Sequence, residues 1–472
     1  MLGLQAFFTI NAFPILGGLF IMGINEKNPK NIKLVSLWTT LFSVISSFTL
    51  LILYLIQGKS EILKKVHIIK IFNAKYTLLF DNFSIIFILL ISFICFLIVL
   101  WLQEKQNIRR IKKFFVSLLI FQSLAISSVL TSDIFLLFIF MESSIIPLYF
   151  MLNSFKKSGN FESILNLIIY SLLSALLILI ALIMIYYETK TSNLIEIYNI
   201  GVKNSLIFWI LFIGIAIKIP VWPFYYWLPI VHVKSSTGCS VVLASIVLKY
   251  SSLLILRLIL PVFGDFLFAY SNILLTFFVL SAFFAISQAI FQNDLKKIFA
   301  YFSIIHMNMM CIMLLGNISQ INFIFGILSH SLVIALLFFV TDAMKSVFKS
   351  RYIMDLKNSG VCSNEIKKIF FISILALIGA PGSCGFVLET LCVYSIAKVS
   401  IVYLFILCAI ILFSAIFLFR LYCSIFPSQG INNAVEDFKF SEICKKSVLY
   451  LILFSITFLG VFPKFILDYF PK

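Results

Sequence analysis

Apolar runs of about twenty residues recur from one end of the chain to the other, and each is long enough to cross a bilayer as an α-helix. Hydrophobic residues make up 62% of the 472 residues and charged residues 12%, a composition that soluble domains do not reach. A transmembrane barrel requires shorter segments of alternating hydrophobicity, and the sequence has none. We therefore predict an all-α polytopic membrane protein.

Fourteen such runs are predicted to span the membrane. They lie near 3–22, 34–56, 76–101, 113–131, 133–152, 163–188, 205–232, 237–260, 267–291, 296–317, 321–345, 369–397, 399–424 and 447–465. Of the 36 lysines and arginines, 23 fall in loops on one side, Lys296 among them, and 11 on the other, including Arg257. Because basic loops stay on the cytoplasmic or matrix side, both termini are expected on the outer face. The net charge of +17 therefore indicates membrane topology rather than nucleic-acid binding.

Spans four to eight and nine to thirteen carry similar chemistry. Glu142 lies on the second helix of the first set and Lys218 on its fourth, 76 residues later; His306 and Glu389 take the corresponding places in the second set, 83 residues apart. Because five is an odd number, the two sets begin on opposite sides of the membrane. This is the inverted-repeat plan of many transporters, whose sites lie where helices are broken.

Both fourth helices contain breaking residues. Pro220 and Pro223 follow Lys218, and Pro381 and Gly382 interrupt the later span. The predicted divisions are an N-terminal three-helix segment at 1–112, a first antiporter-like repeat at 113–260, a second, inverted repeat at 261–424, and a C-terminal loop and last helix at 425–472.

Charged residues inside spans are costly and are candidates for function. Glu142 is interpreted as the ion-pair partner of Lys218, although Ser143 or Ser144 would also satisfy its carboxyl group. A nearby carboxylate favours the charged form of a buried lysine, so a movement of Glu142 would switch Lys218 between holding and releasing a proton. Lys249 is central to its span and is interpreted as a proton-relay residue rather than a snorkelling lysine.

Two histidines and one further acid complete the candidate set. His306 and His330 lie in consecutive spans and suit proton transfer, although each alone would equally well be hydrogen-bonded in a core. Glu389 is interpreted as a terminal proton acceptor rather than a helix cap. His232 lies near the positive side, where it is a candidate for admitting protons, and His67 is interpreted as a solvated loop residue.

Redox and nucleotide motifs are absent from the sequence. The nine cysteines form no C-x-x-C pair, and there is neither a G-x-G-x-x-G motif nor a Walker A loop. We expect no cofactor and no metal on this chain, so any energy source must arrive through a partner.

The motifs around these residues resemble the subunit 4 family of respiratory complex I. The stretches that carry the resemblance are MESSIIPLY around Glu142, KIPVWPFYYWLPIVHV from Lys218, VLASIVLKYSSLLILR around Lys249, DLKKIFAYFSIIHMNMM around His306 and APGSCGFVLE ending at Glu389. The sequence departs from the family after Pro229, where Lys234 stands in place of an acid, so the role of that acid is not carried over. DAMKSVFKSRY also lacks the family's acid–Arg–His pattern.

The resemblance implies a proton-translocating subunit of the membrane arm of NADH:ubiquinone reductase, with NADH, FMN, iron–sulfur clusters and ubiquinone in partner subunits. Its partners would be other membrane-arm subunits, among them neighbouring antiporter-like ones, and membrane lipid, with no nucleic acid. The implied location is the mitochondrial inner membrane, or alternatively a bacterial plasma membrane. A subunit of a multisubunit cation/proton antiporter and a scaffold subunit whose polar residues only hold helices together are the two alternatives.

Overall fold

The computed structural model describes residues 2–25, 28–57, 70–71, 74–75, 77–102, 108–154, 160–316, 319–358, 364–426 and 443–468. Within these ranges eleven helices are long and apolar enough to cross a membrane, and three shorter apolar helices lie at Thr9–Gly23, Ser205–Lys218 and Cys384–Ala397. The predicted all-α polytopic fold is confirmed. His67 lies outside the described residues.

The described residues form twenty-two α-helices. The first eleven are α1 (Leu2–Gly23), α2 (Pro29–Gln57), α3 (Asn82–Trp101), α4 (Ile108–Leu130), α5 (Ile134–Ser143), α6 (Ile145–Ser154), α7 (Asn160–Thr189), α8 (Leu194–Ile200), α9 (Ser205–Lys218), α10 (Trp227–Lys234) and α11 (Thr237–Val242). The others are α12 (Lys249–Leu254), α13 (Leu260–Ala269), α14 (Ser271–Ile290), α15 (Leu295–Leu315), α16 (Gln320–Phe348), α17 (Ile353–Asn358), α18 (Asn364–Leu377), α19 (Cys384–Ala397), α20 (Ile401–Ile425), α21 (Ile443–Val461) and α22 (Lys464–Leu467). Two-residue strands, β1 (Lys70–Ile71) and β2 (Ala74–Lys75), pair antiparallel.

Both fourth helices are interrupted as predicted. α9 ends at Lys218, and the chain passes through a 3₁₀ turn at Phe224–Tyr226 before α10 begins. α18 ends at Leu377 and α19 begins at Cys384, with Gly379 and Gly382 between them at φ +74° and +89°. These left-handed conformations favour glycine, which explains why the second break carries two of them.

The predicted end of the eighth span near residue 260 is wrong. One continuous run covers Thr237–Ala269 and contains π-helical turns at Leu243–Val247 and Ile255–Ile259. Pro261 suggests a helix end in the sequence, but the wider turn before it lets the helix continue. The backbone bends instead at Phe263, where φ is −119° and ψ is 22°.

The chain forms two compact units. The first consists of Met1–Lys218 and Tyr250–Phe266, and the second of Ile219–Lys249 and Leu267–Lys472. In the second unit α15 and α16 are buried along their full apolar stretches. Because these two helices are buried on every side, they form the centre of that unit, and the polar side chains on them are shielded from lipid.

Candidate functional site

In the first unit Glu142 and Lys218 form the predicted ion pair. Lys218 Nζ lies 2.8 Å from Glu142 Oε1, and the two side chains are 12% and 16% exposed. Each is on the last turn of a helix, Glu142 on α5 and Lys218 on α9. The negative end of a helix dipole stabilises a lysine and destabilises a carboxylate. The carboxylate of Glu142 therefore needs its ion-pair partner more than the ammonium group of Lys218 does.

A helix break follows Glu142, and the sequence analysis missed it. α5 ends at Ser143 and α6 begins at Ile145. Pro147 has no N–H to donate to the carbonyl of Ser143, which weakens the helix at this point. The I-I-P sequence after Glu142 was the available signal. Both members of the ion pair therefore stand at breaks, where a small backbone movement changes their separation.

In the second unit Lys249 contacts His330. Lys249 Nζ lies 2.5 Å from His330 Nδ1, and its other contacts are Met307 Sδ at 3.3 Å and the carbonyl of Ala244 at 3.5 Å. Both polar side chains are buried, at 0% and 2% exposure. Only one of the two nitrogens can carry the proton that lies between them, so this pair can hold one proton in two places.

Backbone geometry sets the position of Lys249. The π-helical turn Leu243–Val247 ends directly before it, and the N–H of Leu248 donates to the carbonyl of Leu243. Ser245 Oγ donates to the carbonyl of Ser331 at 3.0 Å, and the single hydroxyl proton of Ser331 has two carbonyl groups within reach, that of Ile327 at 2.7 Å and that of Ser245 at 3.1 Å. The bond from Ser245 joins its segment to α16 directly beside His330.

His306 is the third member of this group. Its ring centroid lies 5.8 Å from that of His330, and the planes are tilted by 57°. Among the described residues, neither His306 Nδ1 nor His330 Nε2 has a hydrogen-bond partner, although both are buried. The two buried rings therefore lie near each other, and each has a ring nitrogen that no described protein group satisfies.

Glu389 lies over the second helix break. A Cβ at Gly379 would collide with the carboxyl group of Glu389, so a glycine there makes room for this side chain. The break also contacts α21, because a Cβ at Gly460 would collide with the carbonyl of Gly382. Ser383 caps α19 by accepting from the N–H of Phe386 at 3.3 Å. Glu389 is thus positioned by the break rather than capping it.

His232 is buried and stacks on Phe338, with ring centroids 4.8 Å apart and planes 11° apart. In the described part of the chain neither of its ring nitrogens has a hydrogen-bond partner. The neighbouring Lys234 ends α10 and is exposed.

Lys296 was wrongly counted as a loop cation. It is 4% exposed, and its Nζ donates to the carbonyl of Ser235 at 3.0 Å and to Ser240 Oγ at 3.2 Å. Nearby, Arg351 forms an ion pair with Asp294 at 2.8 Å. No local sequence signal separates these residues from loop charges, since their partners come from distant segments.

Arg257 was likewise wrongly counted as a loop cation. It is 4% exposed and forms a bidentate pair with Asp81, through Nη1 to Oδ2 at 2.6 Å and Nη2 to Oδ1 at 3.1 Å. Asp81 also caps α3 by accepting from the N–H of Ser84. Burial alone would raise the pKa of Asp81, but Arg257 and the hydrogen bonds from Ser84 outweigh it, and the pKa is lowered. This pair belongs to the first unit.

The structure thus brings the predicted residues into separate groups. Glu142 and Lys218 form one in the first unit, and Lys249, His330 and His306 form another in the second. Glu389 and His232, also in the second unit, have their own surroundings.

Residues 131–417 match the family model described as NADH:quinone oxidoreductase/Mrp antiporter, transmembrane. The chain belongs to this family. The matched range contains every residue of the two groups described above.

Similar proteins extend the likeness beyond that range. NADH-quinone oxidoreductase subunit M of Rickettsia prowazekii is 27% identical over 475 residues, covering 97% of this chain and 95% of that protein. NADH-ubiquinone oxidoreductase chain 4 of Arabidopsis thaliana is 27% identical over 470 residues, covering 96% and 93%. A chain of respiratory complex I from Thermus thermophilus has the same fold, with a TM-score of 0.85, 18% identity and coverage of 98% and 97%.

Proposed function

We propose that this family member is the antiporter-like, proton-translocating subunit of the membrane arm of a respiratory complex I. The observation that carries the proposal is the pair of groups: a largely buried ion pair at two helix breaks, and a buried lysine within hydrogen-bond distance of a buried histidine. NADH oxidation and quinone reduction belong to partner subunits in this proposal, and protons cross the membrane through this chain.

In this proposal the distance between the Glu142 carboxylate and Lys218 Nζ controls the charge of Lys218. While the carboxylate lies at 2.8 Å, the ammonium group is favoured. Separation of the pair leaves a charged lysine in a poorly hydrated place, and Lys218 then releases its proton. The helix breaks beside both residues allow this separation at low cost.

Lys249, His330 and His306 form the next relay. A proton on Lys249 passes to His330 along the 2.5 Å contact and then to His306, whose ring centroid lies 5.8 Å from that of His330. Glu389, held over the second helix break, delivers the proton towards the outer side, and His232 admits protons from the inner side. The order of these steps follows the family resemblance.

The proposed partners are other membrane-arm subunits, neighbouring antiporter-like subunits among them. The proposed location is the mitochondrial inner membrane, which fits the likeness to the Arabidopsis protein; the likeness to the Rickettsia protein fits a bacterial plasma membrane. We further propose that residues 113–260 and 261–424 act as the two inverted repeats.

A subunit of a multisubunit cation/proton antiporter is the second candidate, because the family description also names the Mrp antiporter. Purification of the tagged chain from its native membrane separates the two. Co-purification of flavin and iron–sulfur clusters, with NADH oxidation that responds to a quinone, supports the complex I subunit. A complex that exchanges sodium for protons and contains neither cofactor supports the antiporter.

Replacement of Lys218 tests the relay against a scaffold role. We expect Lys218→Met to lower proton pumping about 100-fold, the usual size of a lost proton-transfer group, while the complex still assembles. Lys203→Met is the matched control, because Lys203 is exposed and precedes the same helix. Loss of assembly in Lys218→Met, with normal pumping per assembled complex, would support the scaffold role instead.

A further inference from the structure

A cavity of about 460 Å³ opens beside α4 in the first unit, between the ends of α1 and α6. Arg109, Lys112 and Lys113 line it at one end. Apolar side chains line the rest, among them Ile120 and Phe150. The cavity therefore has three cationic residues and a largely apolar set of other lining residues.

The direction of α4 orders these two parts along the membrane normal. Arg109, Lys112 and Lys113 are on its first two turns, in the loop region that carries the excess of positive charge. Ile120 comes seven residues after Lys113, about 10 Å deeper at 1.5 Å per residue. Cations at headgroup level above an apolar wall are complementary to an amphiphile that bears a negative charge.

Lys112, which lines the cavity, bonds to two backbone carbonyl groups. Lys112 Nζ donates to the carbonyl of Met22 at 2.9 Å and to that of Ile24 at 2.8 Å, and these bonds tie the end of α1 to α4. Lys113 lies one residue further on, lines the same cavity and is exposed. The wall formed by α6 leaves Ile146 61% and Phe150 53% exposed.

We propose that this cavity binds one anionic phospholipid of the inner leaflet. Its phosphate contacts Lys113 and Arg109, and an acyl chain lies along Ile120, Ile146 and Phe150. The cavity has about the volume of one turn of an α-helix 10 Å wide. A helix of a neighbouring subunit is therefore too large to fit along the cavity, whereas an acyl chain is narrow enough to fit.

A lipid in the cavity affects the ion pair of Glu142 with Lys218. This regulatory part of the proposal rests on the proposed function. Ile146 and Pro147 line the cavity and come four and five residues after Glu142. The helix is broken between them and Glu142. An acyl chain packed on this segment stabilises one geometry of the break and with it the position of the Glu142 carboxylate.

The binding test measures lipid retained by the purified complex. The complex is delipidated, exposed to vesicles of phosphatidylcholine with or without phosphatidylglycerol, and examined by native mass spectrometry. We expect Lys113→Gln to weaken retention of phosphatidylglycerol about fivefold, the usual effect of one cation at a membrane surface. Arg110→Gln is the matched control, because Arg110 is exposed and adjacent but does not line the cavity.

A second variant fills the apolar part. Ile146→Trp should abolish the same retention with all three cations in place. Equal retention in Lys113→Gln, Arg110→Gln and the unaltered complex would overturn the proposal. Unchanged lipid retention in Ile146→Trp together with loss of a neighbouring subunit would also overturn the proposal, because the cavity would then be a protein interface.

Proton pumping tests the regulatory part separately. We expect phosphatidylglycerol to raise pumping by the unaltered complex and to have no such effect on Ile146→Trp. Retention of the lipid without any change in pumping would overturn the regulatory part alone. Failure of the proposed function itself would appear as a complex that does not pump in either lipid although lipid retention is normal.

Discussion

At the scale of single residues, the contact between Lys249 and His330 is the most specific feature of the second unit. In the described part of the chain, the hydrogen-bond contacts of Lys249 are the carbonyl of Ala244, Met307 Sδ and His330 Nδ1, and none of them is a carboxylate. Because an uncompensated buried charge destabilises a fold, a charged lysine in this place does not contribute to stability.

Replacement of His330 by Asn separates proton transfer from hydrogen bonding. The Asn side chain still offers Lys249 an acceptor, but it does not take up a proton. We expect His330→Asn to assemble normally and to lower pumping about 100-fold, as measured by acidification inside proteoliposomes. Pumping at the unaltered rate would show that His330 serves only to position Lys249.

A second prediction at the scale of single residues concerns Gly379. Gly379→Ala places a Cβ in the left-handed region and against the Glu389 carboxyl group. Gly382→Ala is the matched control, because its φ is also positive but no atom lies within 4 Å of the added Cβ. Both should cost about 1–2 kcal/mol of stability, measured by thermal unfolding of the complex in detergent, but only Gly379→Ala should also displace Glu389 and lower pumping. Equal pumping by the two variants would contradict the position assigned to Glu389.

At the scale of elements, a side-chain hydroxyl group donates to a backbone carbonyl four residues before Pro261 in the long eighth span. Pro261 has no N–H for the carbonyl of Arg257, and Tyr198 Oη donates to that carbonyl at 2.8 Å. Tyr198 lies on α8, between two spans, and burial raises its pKa to about 12, with Asp81 adding to the effect and Arg257 opposing it. The hydroxyl therefore keeps its proton at every physiological pH.

A double-mutant cycle tests whether the hydroxyl group of Tyr198 takes the place of the backbone N–H that Pro261 lacks. Tyr198→Phe leaves the carbonyl of Arg257 without the hydroxyl donor and should cost about 1–3 kcal/mol. In a Pro261→Ala background the backbone N–H is restored, and the same change should cost close to nothing. Thermal unfolding of the subunit in detergent gives both values. Additive costs would show that the two donors do not share the carbonyl.

The ion pair of Asp81 with Arg257 makes stability depend on pH. Because the pKa of Asp81 is lowered in the fold, the pair contributes fully above the unfolded pKa of about 3.9 and loses its contribution as pH falls through the lower folded value. Asp81→Asn should therefore destabilise the protein at pH 7 and remove the corresponding part of its acid sensitivity. Asp265→Asn, at an exposed position on α13, is the control for thermal unfolding measured across pH.

At the scale of the whole molecule, the sequence was sufficient for the all-α polytopic fold and for the two broken helices. Both are local properties, since apolar length marks a span and proline or glycine marks a break. The Glu142–Lys218 pair was also predictable, because two opposite charges inside spans need each other. The family-like motifs around these residues led to the same family that the comparisons show.

Partners from distant segments were not predictable. Asp81 is 176 residues from Arg257, and Lys296 is 61 residues from Ser235. Each of these cations looks like an ordinary residue near a span end, and only the packing of helices shows that it is buried. The contact of Lys249 with His330 is similar, since the sequence indicated both residues but not that they touch.

The central claim, that protons cross this chain under the control of a buried carboxylate, is tested most directly at Glu142. The assembled complex carrying Glu142→Gln is reconstituted in liposomes, and NADH-driven acidification is measured against Glu162→Gln, an exposed acid on α7. We predict that Glu142→Gln lowers pumping about 100-fold at unchanged complex content, with Glu162→Gln matching the unaltered complex. Pumping by Glu142→Gln at the rate of that control would contradict the account.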